Sequence, residues 1–381
     1  MTRIPFFVHD LGDTEVAAFA DALRDPILTT GRAVAEFEGR FADALAMPHA
    51  VATTSCTGAL HLALLAHGIG PGDEVVTTPM TFIATATAIL QSGARPVFVD
   101  VEPTTGNLDA TRIEAAITPR TKAIMPVHLF GQMCDMRAIR AIADRHALVV
   151  IEDAAHCVEG TRDGVRPGML SEAACFSFYA TKSLTSGEGG ALVTRDASLA
   201  DQVRLLRLHG MTSSAAERER EGYAHWDMVT MGWKYNMDNL QAAILLPQLE
   251  RLGASHERRT QLARRYQELL VGLRGISMPT VAADVRHAWH IFAIWIDTAN
   301  RDAIIQGLER EAVGVTINYR PVHLTRYFRE TFGGTPGQFP HAERIGATTI
   351  SLPLYGTMPE AHVDEVAARL ARVLADPPTS T

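Results

Sequence analysis

Lysine is scarce in this chain, and that scarcity narrows the chemistry. Of 35 basic residues, 32 are arginine and three are lysine: Lys122, Lys182 and Lys234. A reaction that needs a side-chain amine has three candidates. Lys182 lies in CFSFYATKSLTSGEGGALVT (175–194), between two apolar, strand-like runs and ahead of a glycine-rich turn, Gly187-Glu188-Gly189-Gly190. A lysine withdrawn from water loses basicity, and its neutral amine can attack a carbonyl. The same placement suits a lysine that snorkels to the rim or pairs with Glu188.

Four further constellations carry reactive groups. VVIEDAAHC (149–157) ends an apolar run in Glu152 and Asp153. Open α/β sheets bind ligands beyond the carboxyl ends of their strands, where a carboxylate can hold a cationic group. A strand-end Asp capping the next turn fits equally. His156 and Cys157 have no second pair at ligand spacing, so no metal is expected. In TSCTGALHLALLAHGIGPGDEV (54–75) a polar turn runs into an apolar helix. Its first-turn amides are unpaired and sit at the positive end of the helix dipole. Thr57 and Gly58 there offer a hydroxyl and an open amide to a phosphate, or Ser55 or Thr57 simply caps the helix. GWKYNMDNLQAA (232–243) puts Lys234 and Asn236 in a polar loop, with Asp238 or Asn239 as alternative caps. NYRPVHL (318–324) groups Tyr319, Arg320 and His323, a set suited to an anionic substrate or to a satisfied loop.

These residues need elements to position them. EVVTT (74–78), RPVFVD (95–100), TKAIMPV (121–127), ALVVIED (147–153), 173–178 and 190–194 read as strands. Helical patterns cover Asp13–Arg24, Arg32–Leu45, Phe82–Ser92, Asp109–Ile117 and Asp135–His146. Such alternation with nearly all-apolar strands marks a sheet covered on both faces. A long helical region spans about 237–272, with Leu245, Leu249 and Leu252 on one stripe. After it, AWHIFAIWI (288–296) and GVTINY (314–319) read as strands, Arg301–Ala312 as a helix, and Glu360–Leu374 as a helix with Val363, Val366, Leu370 and Val373 inward. The expected division is a large domain over 1–250, a small one over 251–375 and a disordered tail over 376–381.

Bulk composition excludes several classes. A hydrophobic content of 47% and a charged content of 20% suit a globular chain with a large core. The net charge of −8 argues against nucleic acid as a partner. The charged stretch Glu217–Glu221 alternates sign and reads as a solvated segment. The longest uncharged run, Val75–Ala94, holds Pro79, Gly93, Gln91 and five threonines, so a strand, turn and buried helix are expected rather than a membrane span. Four cysteines without a CxxC pair and no signal-peptide core point to a reduced, cytoplasmic protein.

In this order and spacing the motifs resemble the DegT/DnrJ/EryC1/StrS sugar aminotransferases, fold-type I enzymes that use pyridoxal 5′-phosphate. The resemblance runs from Thr30-Gly31 to the last helix. It is carried by TGRAVAEFEGRFA, SCTGALHLAL, GPGDEVVTTPMTFIATA, PVFVDV, PRTKAIMPVHLFG, IEDAAH, SFYATKSLTSGEGG, LRLHG and YNMDNLQAA. It implies an α/β fold, with a large domain whose mostly parallel sheet is covered by helices on both faces and a smaller C-terminal α+β domain. It implies Lys182 as the Schiff-base lysine and proton shuttle, and Asp153 as partner of the pyridine nitrogen. Phe82 matches the residue stacked on the ring, and His156 a position near the ring's 3-hydroxyl. Thr57, Gly58 and Ser177 match phosphate contacts, and Asn236 one donated by the partner subunit of a homodimer with shared sites.

The segment GVTINYRPVHLTRYFRETFG is similar to that of members that aminate C4 of a nucleotide-linked 4-keto-6-deoxy sugar, with glutamate as donor and 2-oxoglutarate as product. Tyr319, Arg320, His323 and Tyr327, with Thr30, are the substrate-side candidates. Two departures are Gly58 for a commoner Ala and Cys56 for a frequent Gly; neither removes a needed group. Members with His in place of the lysine catalyse 3-dehydration, so Lys182 argues for transamination. A 3-keto nucleotide sugar or a keto-cyclitol is the alternative substrate. A catalytically idle partner subunit is disfavoured by the intact Lys, Asp and phosphate set. A dehydrogenase is excluded because no GxGxxG follows the first strand.

Overall fold

The computed structural model describes residues 2–213, 225–297 and 301–376. The charged stretch Glu217–Glu221 and tail residues 377–381 lie outside them. Two helices, α1 (Asp13–Ala22) and α2 (Arg32–Leu45), lead into β1 (His49–Thr53), α3 (Cys56–Ala66), β2 (Glu74–Thr77), α4 (Ile83–Gln91), β3 (Arg95–Phe98), β4 (Thr121–Met125), α5 (Met136–His146) and β5 (Val149–Asp153). There follow β6 (Thr161–Arg162), β7 (Ala173–Ser177), β8 (Gly190–Thr194) and α6 (Ala197–Leu206). Beyond these come α7 (Asn239–Glu250), α8 (Leu252–Leu270), β9 (Ile276–Ser277), β10 (Val285–Arg286), β11 (Phe292–Ile296), α9 (Arg301–Arg310), α10 (Arg326–Phe332), α11 (Pro340–Thr348), β12 (Thr349–Leu352) and α12 (Glu360–Ala375).

A seven-stranded sheet runs β1-β8-β7-β5-β4-β2-β3. All its strands are parallel except β8, which is antiparallel to both neighbours. Its strands are apolar on both faces because both faces are covered. On one side α3 contributes Leu60, Leu62 and Leu64, all fully buried. On that helix the apolar residues run all round, as a helix sandwiched in a core requires. Elsewhere α2 packs Phe37 and Phe41 edge-on against Phe176 and Phe178 of the β7 end, with ring centroids 5.2–5.4 Å apart. A three-stranded antiparallel sheet, β12-β11-β9, forms a separate layer. It is packed by Leu262 and Tyr266 of α8, Ile304 and Leu308 of α9, and Val363, Val366, Leu370 and Val373 of α12. Ile4 pairs with Val313 beside this sheet, and Phe6 and Phe7 then line a cavity together with Asp153 at the end of β5.

Several elements differ from the sequence expectations. Asp109–Ile117 forms two short 3₁₀ turns rather than a helix. The Asp109 side chain takes the Thr111 amide and hydroxyl, a local arrangement that competes with helix propagation. GVTINY is extended but not a strand; it makes only an isolated bridge, Thr316 to Ser351. AWHIFAIWI becomes a strand only from Phe292, because residues 288 and 291 bond to the 130–131 turn instead. The helical region 237–272 is interrupted at Arg251, where α7 ends and α8 begins. The run Val75–Ala94 holds the last three residues of β2 and the whole nine-residue α4. Among the described residues no helix is long and apolar enough to cross a membrane.

Candidate active site

The carboxyl end of β5 presents two carboxylates, and strand alternation sends them to opposite faces. Glu152 is fully buried and used up structurally. Its Oε1 accepts from the Gly168 amide at 2.8 Å and from the Ser171 hydroxyl, and its Oε2 lies 2.6 Å from His128 Nε2. The Cys134 amide donates to His128 Nδ1, so the His128 proton sits on Nε2 and points at Glu152. Asp153 faces the other way, into a cavity of about 460 Å³. Its Oδ2 accepts from Thr85 Oγ1 at 2.7 Å and its Oδ1 from the Ala155 amide at 3.1 Å. Burial pushes the Asp153 pKa above the usual range, and the Thr85 and Ala155 hydrogen bonds and Lys182 offset part of that.

Lys182 sits in the connection between β7 and β8, one wall of the same cavity. Burial lowers its pKa from 10.5 to about 8, with Asp153 and Cys56 acting in the opposite sense. Its Nζ lies 3.3 Å from His290 Nε2. His156 follows β5 and lines the cavity, with Nε2 2.9 Å from the Tyr319 hydroxyl. Burial and the Lys182 charge hold His156 well below the usual histidine pKa, so it is neutral. Phe82 precedes α4 and presents a half-exposed ring to the cavity, 5.9 Å from the Tyr319 ring.

At one end of the cavity lie the first turn of α3 and the end of β7. Thr57 and Ser177 both line it. Ser55 caps α3 by accepting the Gly58 amide at 3.0 Å. Gly58 is absent from the cavity wall, and a Cβ there would press on the Tyr235 ring at 3.3 Å. The helix end thus presents its positive dipole, the Thr57 hydroxyl and the Ser177 hydroxyl to one region.

One chain therefore brings Lys182, Asp153, His156, Phe82, Thr57, Ser177 and Tyr319 together. It does not bring Asn236, which lines a second cavity of about 900 Å³ with Thr30. There Asn236 Nδ2 donates to Thr30 Oγ1 at 2.7 Å, and its Oδ1 is buried without a partner. Arg320 donates to the Leu324 carbonyl at the surface. His323 is buried, 3.1 Å from Glu343 and edge-on to Phe339, away from the cavity. Tyr327 is exposed on α10. Lys122 and Lys234 are exposed and line neither cavity.

Sequence reasoning missed Thr85, His290, Asn318, Phe6 and Phe7, all but Thr85 in the cavity wall. Thr85 was accessible as the residue one turn after Phe82. Nothing local marks His290, which meets Lys182 across 108 residues.

The family model for the DegT/DnrJ/EryC1/StrS aminotransferase family matches residues 9–371. Spore coat polysaccharide biosynthesis protein SpsC of Bacillus subtilis (strain 168) is 44% identical over 369 residues, covering 95% of both chains. The crystal structure of S. venezuelae DesV in complex with a ketimine intermediate matches with a TM-score of 0.92 at 34% identity, over 100% of both chains. NtdA from Bacillus subtilis, solved with the cofactor PMP bound, matches with a TM-score of 0.87 at 32% identity, over 99% of this chain and 86% of that one. The α/β architecture, the whole-chain family match and these relatives agree: the chain belongs to the DegT/DnrJ/EryC1/StrS family of pyridoxal-phosphate-dependent sugar aminotransferases, of fold type I.

Proposed function

We propose that this chain transfers an amino group from glutamate to a nucleotide-linked 4-keto-6-deoxy sugar, with Lys182 as the reacting amine. The observation that carries this reading is an amine of pKa about 8 sharing one cavity wall with a buried, hydrogen-bonded carboxylate. The cavity's donor set fits the cofactor end to end. Thr57, Ser177 and the α3 N-terminus suit its phosphate, and Asp153 suits its ring nitrogen. His156 lines the cavity 2.9 Å from the Tyr319 hydroxyl and suits the ring's 3-oxygen. The Phe82 ring offers a flat apolar surface for stacking.

Pyridoxal phosphate bound there supplies an aldehyde that condenses with amines and a ring that withdraws electrons from the carbon being deprotonated. Asp153 holds a proton on the ring nitrogen through a carboxylate steadied by Thr85 and Ala155. Lys182 carries the proton of the reaction. A pKa near 8 lets Nζ accept a proton from the donor's Cα and release it again at little cost. Asn236 and Thr30 line a different cavity from that of their own Lys182, which supports a homodimer in which each chain completes its partner's site. Tyr319 is the substrate-side candidate that lines the cavity, and Tyr327 and Arg320 lie exposed on the segments that follow it.

Two measurements test the reading. Borohydride reduction of the holoenzyme followed by peptide mapping is expected to place the cofactor's mass on the Lys182 peptide, and Lys182→Ala should lose more than about 10²-fold in turnover. Mass on another lysine, or full turnover without Lys182, overturns the assignment. Incubation with glutamate and UDP-, dTDP- or GDP-linked keto sugars, with the products solved by NMR, is expected to yield a C4 amine. Amination at C3, or of a cyclitol, would replace the substrate reading and leave the aminotransferase intact.

A further inference from the structure

Among the described residues, His290 is the one side chain within hydrogen-bonding distance of the Lys182 amine, 3.3 Å from Nε2 to Nζ. It is not placed there by accident of a loose loop. The Ala288 and Ile291 amides bond to the Gly131 and Phe130 carbonyls at 2.8 and 3.2 Å. His256 Nε2 donates to the His287 carbonyl at 2.8 Å, and the Trp289 amide donates to His287 Nδ1 at 2.9 Å. The backbone on both sides of His290 is thus fixed to the large sheet's 130–131 turn and to α8.

The surroundings of His290 decide its protonation. Its ring lies 4.6 Å from that of His156. Burial, then the charges of Lys182, His156 and Arg259, hold His290 well below the usual histidine range. It is therefore neutral and can accept at Nε2, whichever protonation state Lys182 adopts. Asp153 and Cys56 face the amine from other elements, and Tyr179, Glu188 and Tyr319 complete the ionisable groups in the cavity wall.

We propose that His290 is a positioning residue: it accepts a hydrogen bond from Lys182 Nζ and holds the free amine at the cavity wall. The proposal rests on Lys182 being the reacting lysine. An amine that must leave its attachment, carry a proton and return is kept in reach by one fixed acceptor. Because an accepted hydrogen bond favours the charged amine, His290 also keeps the Lys182 pKa from falling further under desolvation.

The test uses two polar variants of similar bulk. His290→Gln places a carbonyl oxygen near the position of Nε2; His290→Asn stops short of it. The pKa of Lys182 is read in the cofactor-free full-length chain by acetic anhydride labelling against pH, with exposed Lys122 as internal reference. The Asn variant is expected to lower the Lys182 pKa by about half to one unit, the worth of one net hydrogen bond. It should also slow the single-turnover reaction with glutamate about tenfold. The Gln variant should match the wild type in both. An unchanged pKa in the Asn variant, or equal impairment in both variants, overturns the proposal. Because labelling reads the amine without cofactor, that failure leaves the Lys182 assignment to the borohydride experiment.

Discussion

The Lys182 amine is costly to keep charged where it sits. Its pKa falls from 10.5 in water to about 8 in the folded chain. Below about pH 8 both folded and unfolded chains carry the proton, and the burial cost is fully present. Between about 8 and 10.5 the folded chain has shed the proton and the unfolded chain has not, so stability rises with pH. Lys182→Met keeps the side chain's length and removes the charge. In cofactor-free protein it should raise Tm at pH 7 by about 2–4 °C, and the gain should shrink towards pH 10. Thermal scans of both proteins across that range check it; a gain that is independent of pH would mean that packing rather than charge sets the difference. The lysine, the strand-end Asp153 and the helix-entry Thr57 were all legible from residue type and local context. Their partners were not. Thr85 reaches Asp153 across 68 residues and His290 reaches Lys182 across 108, and no local pattern encodes such meetings.

Elements were legible where periodicity was strong and burial two-sided. β8 was read with its observed limits and β2, β4 and β5 to within a few residues, because apolar runs on both faces leave little ambiguity. β1 and β12 went unread, since HAVAT and TISL are short segments beside helical patterns. GVTINY alternates like a strand yet pairs at one point only, a case of tertiary placement overriding pattern. The glycine-rich turn after Lys182 carries a packing requirement that its sequence did not reveal. A Cβ on Gly190 would overlap the Ser55 carbonyl carbon and the Cys56 amide, so α3 enters the sheet only because position 190 has no side chain. Gly190→Ala should cost about 1–3 kcal/mol, as overpacking typically does. Because the clash falls on the first turn of α3, the variant should also lose cofactor faster on dialysis than Ser55→Ala, which removes only a cap. Equal cofactor retention in the two would show that the backbone adjusts elsewhere.

At the scale of the molecule, the shared-site reading makes a prediction of its own. Lys182→Ala and Asn236→Ala chains should each be weak alone. Unfolded and refolded together, they should recover about a quarter of wild-type activity, since half the dimers are mixed and each mixed dimer holds one complete site. No recovery would place Asn236 in service of its own chain. The order of strands in the large sheet has a different consequence, for how the chain is made. Among the described residues β1 has one strand partner, β8, with His49 opposite Thr194 and Thr53 opposite Gly190, and beyond it only an isolated bridge from Thr53 to Asn236. During synthesis its apolar edge must wait, with unpaired backbone, until the segment carrying Lys182 has left the ribosome. An exposed strand of that kind recruits other chains. Fragments that end before residue 190 should aggregate, and those that extend past α6 should stay in solution. The strand that pairs with β1 follows Lys182 by eight residues, so the chain becomes safe from aggregation soon after Lys182 is made.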